Sequence, residues 1–295
     1  MKKIKYLFGI VLLSLIFTSC EDVVQIKLDE GSKLYVIDGF VNSLRTDQKI
    51  RVVTNDSYFS NRQAPPVANA SVLLRDLTSG KVYSFGYTSN GYYVYTIKAG
   101  DTLAYVDHQY RLEVSIEGVT YTSLTTQKRT AGIDSIAALY NDGTNGGFGP
   151  PGEPYFNCLL FAKDRVDRNT DYYWVKTLRN DTLFDSSGDI NLSIDGTNGA
   201  VSDVPVDSLE FTPPITFLGF KNFNNNDKVE AQIHSISRET YFFLLQAQAQ
   251  INNGGLFATT PENVKTNIVT PDGAKTKAIG WFNMATVASY SRIVK

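Results

Sequence analysis

Cys20 is the residue whose position most strongly predicts a chemical modification. Three lysines near the start of the chain precede an uncharged apolar stretch that ends at Phe17, and two small residues separate Phe17 from Cys20. A charged start, a short apolar core and small residues before a cleavage point are typical of a secretory signal. The thiol of a cysteine at the new N-terminus can carry a lipid. We therefore predict a signal peptide over residues 1–19 and a lipidated Cys20, with palmitate among its acyl chains.

The alternative interpretation of this N-terminal stretch is a transmembrane helix. Such a helix needs about 20 consecutive apolar residues, whereas Lys5 and Glu21 bracket a shorter uncharged run. The predicted product is therefore a chain that acyl groups on Cys20 hold at a membrane. A tether over residues 20–32 would connect this anchor to the folded part.

Few other residues could do chemistry. His108 and His234 are the only histidines and are far apart in the sequence, so we expect packed or solvated imidazoles rather than metal ligands or catalysts. Cys158 could serve as a nucleophile, but its apolar neighbours predict a buried, unreactive thiol in a strand. The chain has no serine nucleophile elbow, phosphate-binding loop or zinc-binding helix motif. We therefore expect no catalytic residue, no cofactor and no enzymatic activity.

Two polar segments carry oxygen ligands at spacings that a calcium loop could use. Asn222, Asn224, Asn226 and Asp227 alternate along one of them, but Asp227 stands where such a loop requires glycine. Residues 185–189 form an equally loose match. Because turns between strands are commonly rich in Asn and Asp, we expect structural turns here and no metal site.

Two aromatic runs leave a binding function open. Within strands, the residues of Tyr92–Tyr95 and Tyr172–Trp174 would alternate between the two faces, so that one set of rings fills a core and the other reaches the surface. Surface rings could stack on a sugar or cover a peptide. Cross-strand pairing on a wet sheet face is the alternative, and the sequence favours it.

The elements that must position these residues are mainly β-strands. Apolar and polar residues alternate most regularly over Arg111–Glu117, and Glu117-Gly118 predicts a tight turn into a returning strand. One stretch, Ser237–Asn252, instead has apolar residues at helical spacing, a capping serine at its start and a glycine-containing stop after it. The other predicted strands are 34–41, 50–54, 70–77, 81–87, 92–97, 155–162, 172–178, 209–220, 228–235 and 277–282.

A segment rich in glycine and proline predicts the domain organisation. Residues 141–152 contain too many of these residues to hold a strand ladder. We therefore predict a β-sandwich domain over 33–130, a linker or loop over 131–154, and a second β-rich domain over 155–295. The predicted fold class is thus mainly β, an N-terminal sandwich followed by a second β-rich domain with one α-helix near 237–252.

Charge and cysteine content exclude some partners and cross-links. Removal of residues 1–19 would take three lysines from the 28 basic residues and none of the 30 acidic residues, so the net charge would change from −2 to about −5. Nucleic acid is therefore not an expected partner, because phosphate binding needs a basic patch. With Cys20 acylated, Cys158 would be the only remaining thiol and no disulfide could form within the chain.

Short motifs in the N-terminal half resemble a known sandwich. They share alternating apolar residues, turn glycines and tyrosines at the rim, and they resemble the prealbumin-like or carboxypeptidase-regulatory-like fold of seven strands. The resemblance implies that the first domain is a prealbumin-like or immunoglobulin-like sandwich. The motifs are Ala70–Leu74, Gly80, Gly91–Tyr93, Tyr110–Val114, Gly118 and Tyr121.

A longer series of motifs covers nearly all of the chain that follows the predicted signal peptide. In chain order these motifs are Cys20–Val24, Leu34–Gly39, Tyr58-Phe59, Pro65–Ala70, Asp134–Ile136, the helix at 241–249, Asn267-Ile268 and Ile279–Phe282. Their order resembles the Bacteroidota lipoprotein family called domain of unknown function 4249. This resemblance implies an outer-membrane lipoprotein that is commonly paired with a TonB-dependent outer-membrane channel. It implies no catalytic residue.

These observations lead to a predicted function and location. Glu21 and Asp22 directly follow Cys20 and resemble the signal that exports Bacteroidota lipoproteins to the cell surface. We therefore predict a lipid-anchored, surface-exposed outer-membrane protein, and a periplasm-facing orientation is the alternative. Its predicted function is that of a non-catalytic accessory of a TonB-dependent transport system. A surface adhesin or glycan-binding module is the alternative function.

Four tripeptides predict a further modification. Each consists of Asp, then Ser or Thr, then an aliphatic residue, and resembles the acceptor for O-glycans in exported Bacteroidota proteins. A turn in which the aspartate bonds the backbone before a strand is the alternative interpretation. The possible acceptor residues are Thr102, Ser135, Thr182 and Ser208.

Overall fold

A computed structural model describes residues 31–57, 60, 62–144, 152–163, 170–194, 216–218, 222–253 and 264–295. Residues 33–295 belong to one compact unit. The predicted signal peptide, Cys20 and nearly all of the predicted tether lie outside the described residues. The described residues contain sixteen strands and a single α-helix, which confirms the prediction of a mainly β fold with one helix.

Strands in the first part of the chain form one large sheet. Their bounds are β1 Leu34–Asn42, β2 Gln48–Thr54, β3 Ser71–Asp76, β4 Val82–Tyr87, β5 Tyr92–Tyr95, β6 Gln109–Ile116 and β7 Val119–Thr126. A strand from the end of the chain, β15 (Lys277–Ala285), joins them, and the strand order is β15-β1-β2-β5-β4-β3-β6-β7. The pairing of β1 with β15 is parallel.

The large sheet encloses an apolar core because its strands alternate as predicted. In β6, Leu112, Val114 and Ile116 are buried, and the residues between them are partly or fully exposed. Glu117 and Gly118 both have positive φ, as in the two-residue turn that matches the twist of a hairpin. β6 and β7 therefore meet at the predicted turn.

The later part of the chain forms two smaller sheets around a second core. The remaining strands are β8 Gly132–Asn141, β9 Tyr155–Lys163, β10 Tyr172–Arg179, β11 Thr182–Leu183, β12 Asn191–Ile194, β13 Thr216–Phe217, β14 Lys228–Ile236 and β16 Val287–Ile293. One sheet has the order β13-β9-β8, and the other has the order β11-β10-β14-β16 with β12 also paired to β10. Buried residues of β8, β9, β10 and β14 form a single apolar cluster between these sheets.

The structure corrects the predicted division into consecutive domains. Strand β8 occupies Gly132–Asn141, inside the predicted linker 131–154, because glycine and proline become frequent only after this strand. Strand β15 lies inside the predicted second domain and yet completes the first sheet along the whole length of β1. Local alternation predicts that β15 is a strand, but it cannot identify a pairing partner more than 200 residues away.

Helix α1 spans Arg238–Ile251 and confirms the predicted helix near 237–252. It begins where predicted because the Ser237 hydroxyl accepts a hydrogen bond of 3.1 Å from the Thr240 backbone N–H. Tyr241 and Leu244 face Tyr172 and other apolar residues of β10 and β12. Among the described residues, no helix has the length and apolar character that crossing a membrane requires.

Candidate functional site

The structure describes three of the five predicted modification sites. Cys20 and Ser208 lie outside the described residues. Thr102 and Thr182 are exposed, in a loop before a buried leucine and in the short strand β11 respectively, and Ser135 is half-buried in β8. An enzyme that modifies surface hydroxyls would therefore reach Thr102 and Thr182 more easily than Ser135.

His108 forms part of a turn network rather than an open site. Its Nδ1 lies 2.7 Å from Oδ2 of Asp76. Burial alone would raise the pKa of Asp76, but hydrogen bonds from Ser79, His108 and the Thr78 backbone lower it overall. Because the same carboxylate also accepts the backbone N–H groups of Thr78 and Ser79, this network fixes the loop after β3.

Cys158 is a core residue, as predicted. It lies in β9, is 3% exposed and packs in the cluster between the two smaller sheets. Burial raises the pKa of its thiol to about 12, and the positive charge of Arg292 offsets this only in part. The thiolate that a nucleophile requires is therefore scarce at neutral pH.

The segment 222–227, which sequence reasoning treated as a turn, is a turn in the structure. The Asp227 carboxylate accepts hydrogen bonds from the Asn224 backbone N–H and from Nδ2 of Asn180, each of 2.8 Å. Its oxygens are thus used within the protein. Among the described residues, no cluster of three or more His, Cys, Asp or Glu side chains could hold a metal ion.

The most unusual group of titratable residues lies where the large sheet faces the sheet of β10 and β14. Tyr35, Ile37 and Val41 point into the core of the large sheet, so the intervening residues Asp38 and Phe40 point outward. Phe40 meets Trp174 of β10 edge to face, with ring centroids 5.3 Å apart. We call this contact region the junction; it comprises Asp38, Phe40, Arg51, Trp174, Lys176 and His234.

Opposite charges meet in the junction. The Asp38 side chain keeps access to water, yet surrounding protein raises the pKa of its carboxyl, and the charges of Arg51 and Lys176 only partly offset this. Burial also lowers the pKa of Lys176 to about 8, an effect that Asp38 reduces. The Lys176 ammonium lies 4.0 Å from the ring centroid of Trp174. A carboxylate and an ammonium thus partly offset each other's charge in the junction.

His234 lies beside this pair but is closed off from solvent. It is 4% exposed, and its Nε2 lies 3.2 Å from Oε1 of Gln232. Burial, and to a lesser extent the charge of Lys176, lower its pKa well below the ordinary value. An amine, a carboxylate and an imidazole are groups that acid–base catalysis uses, but this imidazole is neutral and faces the protein interior. The junction therefore suits packing between sheets better than proton transfer to a substrate.

Buried hydrogen bonds connect the start of α1 to β15. The indole Nε1 of Trp281 donates to the Thr240 hydroxyl, which in turn donates to Oδ1 of Asn283, and both distances are 2.9 Å. Thr240 and Asn283 are each 1% exposed. Trp281 also stacks on Phe243 with ring centroids 4.3 Å apart. The helix is thus held against the large sheet by groups that satisfy one another.

A groove of about 850 Å³ opens next to this contact. We call it the groove; its walls are the end of β7 at Leu124–Thr126, the first turn of α1, the segment Lys265–Asn267, and Trp281. Leu124 is 51% exposed and Phe242 is 47% exposed. This is an open surface with apolar walls, which is what a site for a contacting partner requires.

Two further depressions are smaller or shallower. A pocket of about 310 Å³ lies between α1 and β12, and Tyr241 and Leu192 contribute to its wall. A shallow depression on the large sheet is lined by Tyr87 and Tyr92. Tyr92 is exposed, whereas the neighbouring Tyr93 is buried with its hydroxyl donating to the Val67 carbonyl. The predicted alternation of rings between the two faces is therefore confirmed for Tyr92 and Tyr93. On β10, Tyr173 lies in one apolar cluster, but Tyr172 and Trp174 pack against a second one instead of reaching the surface.

Sequence reasoning missed the junction and the groove. Asp38, Lys176 and Leu124 lie on strands that were largely predicted, and each stands at a polar or outward position in its alternation. What brings them against other elements is the crossing of distant strands and the place where α1 begins. No local signal in the sequence gives those contacts.

Comparison with known proteins gives one finding. The model of the family described as Domain of unknown function (DUF4249) matches residues 21–291. A search of curated proteins gave no match.

Proposed function

We propose that this chain, which belongs to the family of the domain of unknown function DUF4249, is a lipid-anchored outer-membrane protein that acts by contact, as a non-catalytic accessory of a TonB-dependent transport system. The anchor is Cys20, and the protein is displayed on the cell surface. The sequence around Cys20 supports the anchor, and the order of motifs along the chain supports the transport partner.

One observation carries the preference for binding over catalysis. The groove is an open surface whose walls contain both apolar and charged residues, whereas the histidines and the thiol that catalysis would use are otherwise engaged. His108 bonds Asp76, His234 is shielded from solvent, and Cys158 has a raised pKa. A tether on the same membrane raises the effective concentration of a membrane partner, so a modest interface suffices.

Affinity purification tests this function. Native membranes are extracted with a mild detergent, and the full-length lipidated protein is captured through a C-terminal tag. The expected result is recovery of a TonB-dependent barrel near equal stoichiometry, together with loss of one uptake phenotype when the lipoprotein is deleted. Recovery of the lipoprotein alone, also after crosslinking in cells, would contradict the proposal.

The anchor has a separate test. Cys20→Ala removes the sulfur that carries the lipid, so the variant should leave the salt-resistant membrane fraction. Cys158→Ala is the matched control, because it removes the other cysteine and should stay in that fraction. Equal retention of Cys20→Ala and the wild-type protein would refute the lipid anchor.

A second function, glycan binding, is favoured by one observation. Tyr87 and Tyr92 present exposed rings around a shallow depression on the large sheet, and flat rings can stack on sugars. A soluble form from Glu21 to Lys295 should then bind a glycan array, and Tyr92→Ala should lose this binding while Tyr140→Ala, at another exposed ring, keeps it. Absence of binding to any glycan would leave the transport accessory as the proposed function.

A further inference from the structure

We propose that the groove binds an extended, acidic segment of a partner protein, which adds as a strand to the free edge of β7. This inference rests on the proposed function, since it names the partner chemistry for an accessory that acts by contact. Three observations carry it: an open strand edge, an apolar surface beside that edge, and a surplus of positive charge.

The edge of β7 is only partly covered. Thr122 exchanges two backbone hydrogen bonds with Val269, of 2.7 and 3.2 Å, on the side away from β6. Backbone groups two and four residues further along a strand point to the same side, so those of Leu124 and Thr126 also point away from β6. Within the described part of the chain, these groups have no partner on that side. They are a template for a further strand.

The segment opposite this edge, which contains Asn267 and Val269, diverges from β7. The Asn267 side chain forms hydrogen bonds with β15: its Nδ2 donates to the Phe282 carbonyl at 2.7 Å, and its Oδ1 accepts the Phe282 backbone N–H at 2.8 Å. The pairing that begins at Thr122 and Val269 therefore does not continue toward Thr126. The groove lies where these two stretches of chain separate.

The groove offers apolar contact beside the open edge. Leu124 and Phe242 are about half exposed, and the stacked pair of Trp281 and Phe243 lies next to them. A strand that adds to β7 places alternate side chains on the two faces of the sheet. One set of its side chains can thus cover Leu124 and Phe242 and remove apolar surface from water.

Charge selects an acidic occupant. Lys128, Arg238 and Lys265 line the groove together with a single acidic residue, Glu239. None of these four side chains forms an ion pair in the described part of the chain, and the Arg238 guanidinium instead lies 4.8 Å from the ring centroid of Phe242. The protein as a whole has a net charge of −2, so this local surplus of positive charge would orient an acidic segment toward the groove.

A designed peptide tests the inference directly. The probe is a labelled ten-residue peptide in which valine alternates with glutamate, and its binding to the soluble form from Glu21 to Lys295 is followed by fluorescence polarisation. Binding should weaken as salt rises, and by about tenfold or more when lysine replaces glutamate. Methylation of alternate backbone nitrogens of the peptide should abolish binding, because it removes the N–H groups with which the peptide would pair with β7.

Paired proline variants separate the edge from general effects. Thr126→Pro removes an outward N–H without removing a ladder bond to β6, a position that proline tolerates on an edge strand. The peptide should bind about three- to tenfold more weakly, as expected for one lost backbone hydrogen bond. Thr120→Pro changes an outward N–H of the same strand outside the groove and should bind like the wild type. Equal affinities of all three proteins would overturn the strand-addition proposal.

Hydrogen exchange gives a reading that does not depend on a variant. In the free protein, the amides of Leu124 and Thr126 should exchange faster than that of Thr125, which points toward β6, and the peptide should slow them. Slow exchange at Leu124 and Thr126 before any peptide is added would mean that the chain covers its own edge, and would also overturn the proposal.

These outcomes can be told apart from a failure of the proposed function. If a TonB-dependent barrel copurifies equally with wild type and Thr126→Pro, the transport function stands and the groove is not its contact. If no barrel copurifies but the acidic peptide binds the groove, the groove serves a different partner and the transport function fails.

Discussion

The junction and the groove both lie between the large sheet and later elements, but they differ in whether their charged groups have partners within the protein. In the junction, Asp38 and Lys176 offset each other's charge, and Phe40 packs on Trp174. In the groove, the cations lack ion pairs in the described part of the chain and a strand edge lacks a neighbour. The charges of the junction are thus offset within the protein, whereas those of the groove are not.

This difference distinguishes a structural interface from a binding surface. Charges that offset one another stabilise a particular arrangement of sheets, and removing one of them leaves the other uncompensated. Polar groups that remain solvated can be changed with little effect on folding, but a partner that needs them is lost. Substitutions at the junction should therefore affect stability, and substitutions in the groove should affect binding.

The largest expected effect comes from a substitution that disrupts the pairing of β1 with β15, on which both the junction and the groove depend. Gly280 of β15 has a φ of +117°, and a Cβ atom there would lie 2.0 Å from the Ile37 carbonyl oxygen of β1. Gly280→Ala must therefore push the paired strands apart, with an expected cost of about 3 kcal/mol or more. Urea denaturation measures this cost. Gly86→Ala, with no atom within 4 Å of the added Cβ, is the control, and equal midpoints for both variants would contradict the β1–β15 geometry.

The next effect concerns the hydrogen bonds that hold α1 to β15. Thr240→Val keeps the shape of the side chain but leaves the Trp281 indole N–H and the side-chain Oδ1 of Asn283 without their partner. The expected loss of folding free energy is about 1–3 kcal/mol. Thr102→Val, at an exposed position, should change it by less than about 0.5 kcal/mol. Equal free energies of unfolding for the two variants would show that the hydrogen bonds of Thr240 do not stabilise the contact between α1 and β15.

The junction should also give the protein a pH dependence. Because the pKa of His234 is lowered by burial and by Lys176, the folded state binds this proton less readily than the unfolded state. The contribution of neutral His234 to the free energy of unfolding is therefore fully present above about pH 6.5. It is lost as the pH falls below this value, by up to about 1.4 kcal/mol per pH unit.

A variant isolates this contribution of His234. Asp38 acts in the opposite direction, since its raised pKa favours proton uptake by the folded state. The free energy of unfolding should therefore be measured at pH 7.0 and 5.5 for the wild type and for His234→Gln, and the variant should lose less stability on acidification. The same loss in both proteins would show that His234 does not titrate as its burial requires.

The smallest effect is expected in the core of the smaller sheets. Cys158→Ala should fold with a loss on the order of 1 kcal/mol, because it removes one small buried group. In the soluble form from Glu21, where Cys158 is the only thiol, a thiol reagent should label the native protein slowly and the urea-unfolded protein rapidly. Rapid labelling of the native protein would reopen a nucleophilic role for Cys158.

Particular residues explain what the sequence could and could not predict. The alternation of Leu112, Val114 and Ile116 and the cap at Ser237 are local, and the strand and the helix that they predict are present. The partner of β15 could not be predicted, because parallel pairing across most of the chain leaves no local signal. The groove depends on that pairing and on the position of Asn267, so its residues became visible only in the structure.

Photocrosslinking in cells can show whether this protein acts by contact through the groove. A photoreactive amino acid replaces Leu124 in the full-length lipidated protein, and in a second strain it replaces Leu139, which is similarly exposed on β8 outside the groove. If the groove is the contact surface, position 124 should form a covalent adduct with a TonB-dependent barrel and position 139 should form none. Adducts from both positions alike, or from neither, would contradict it.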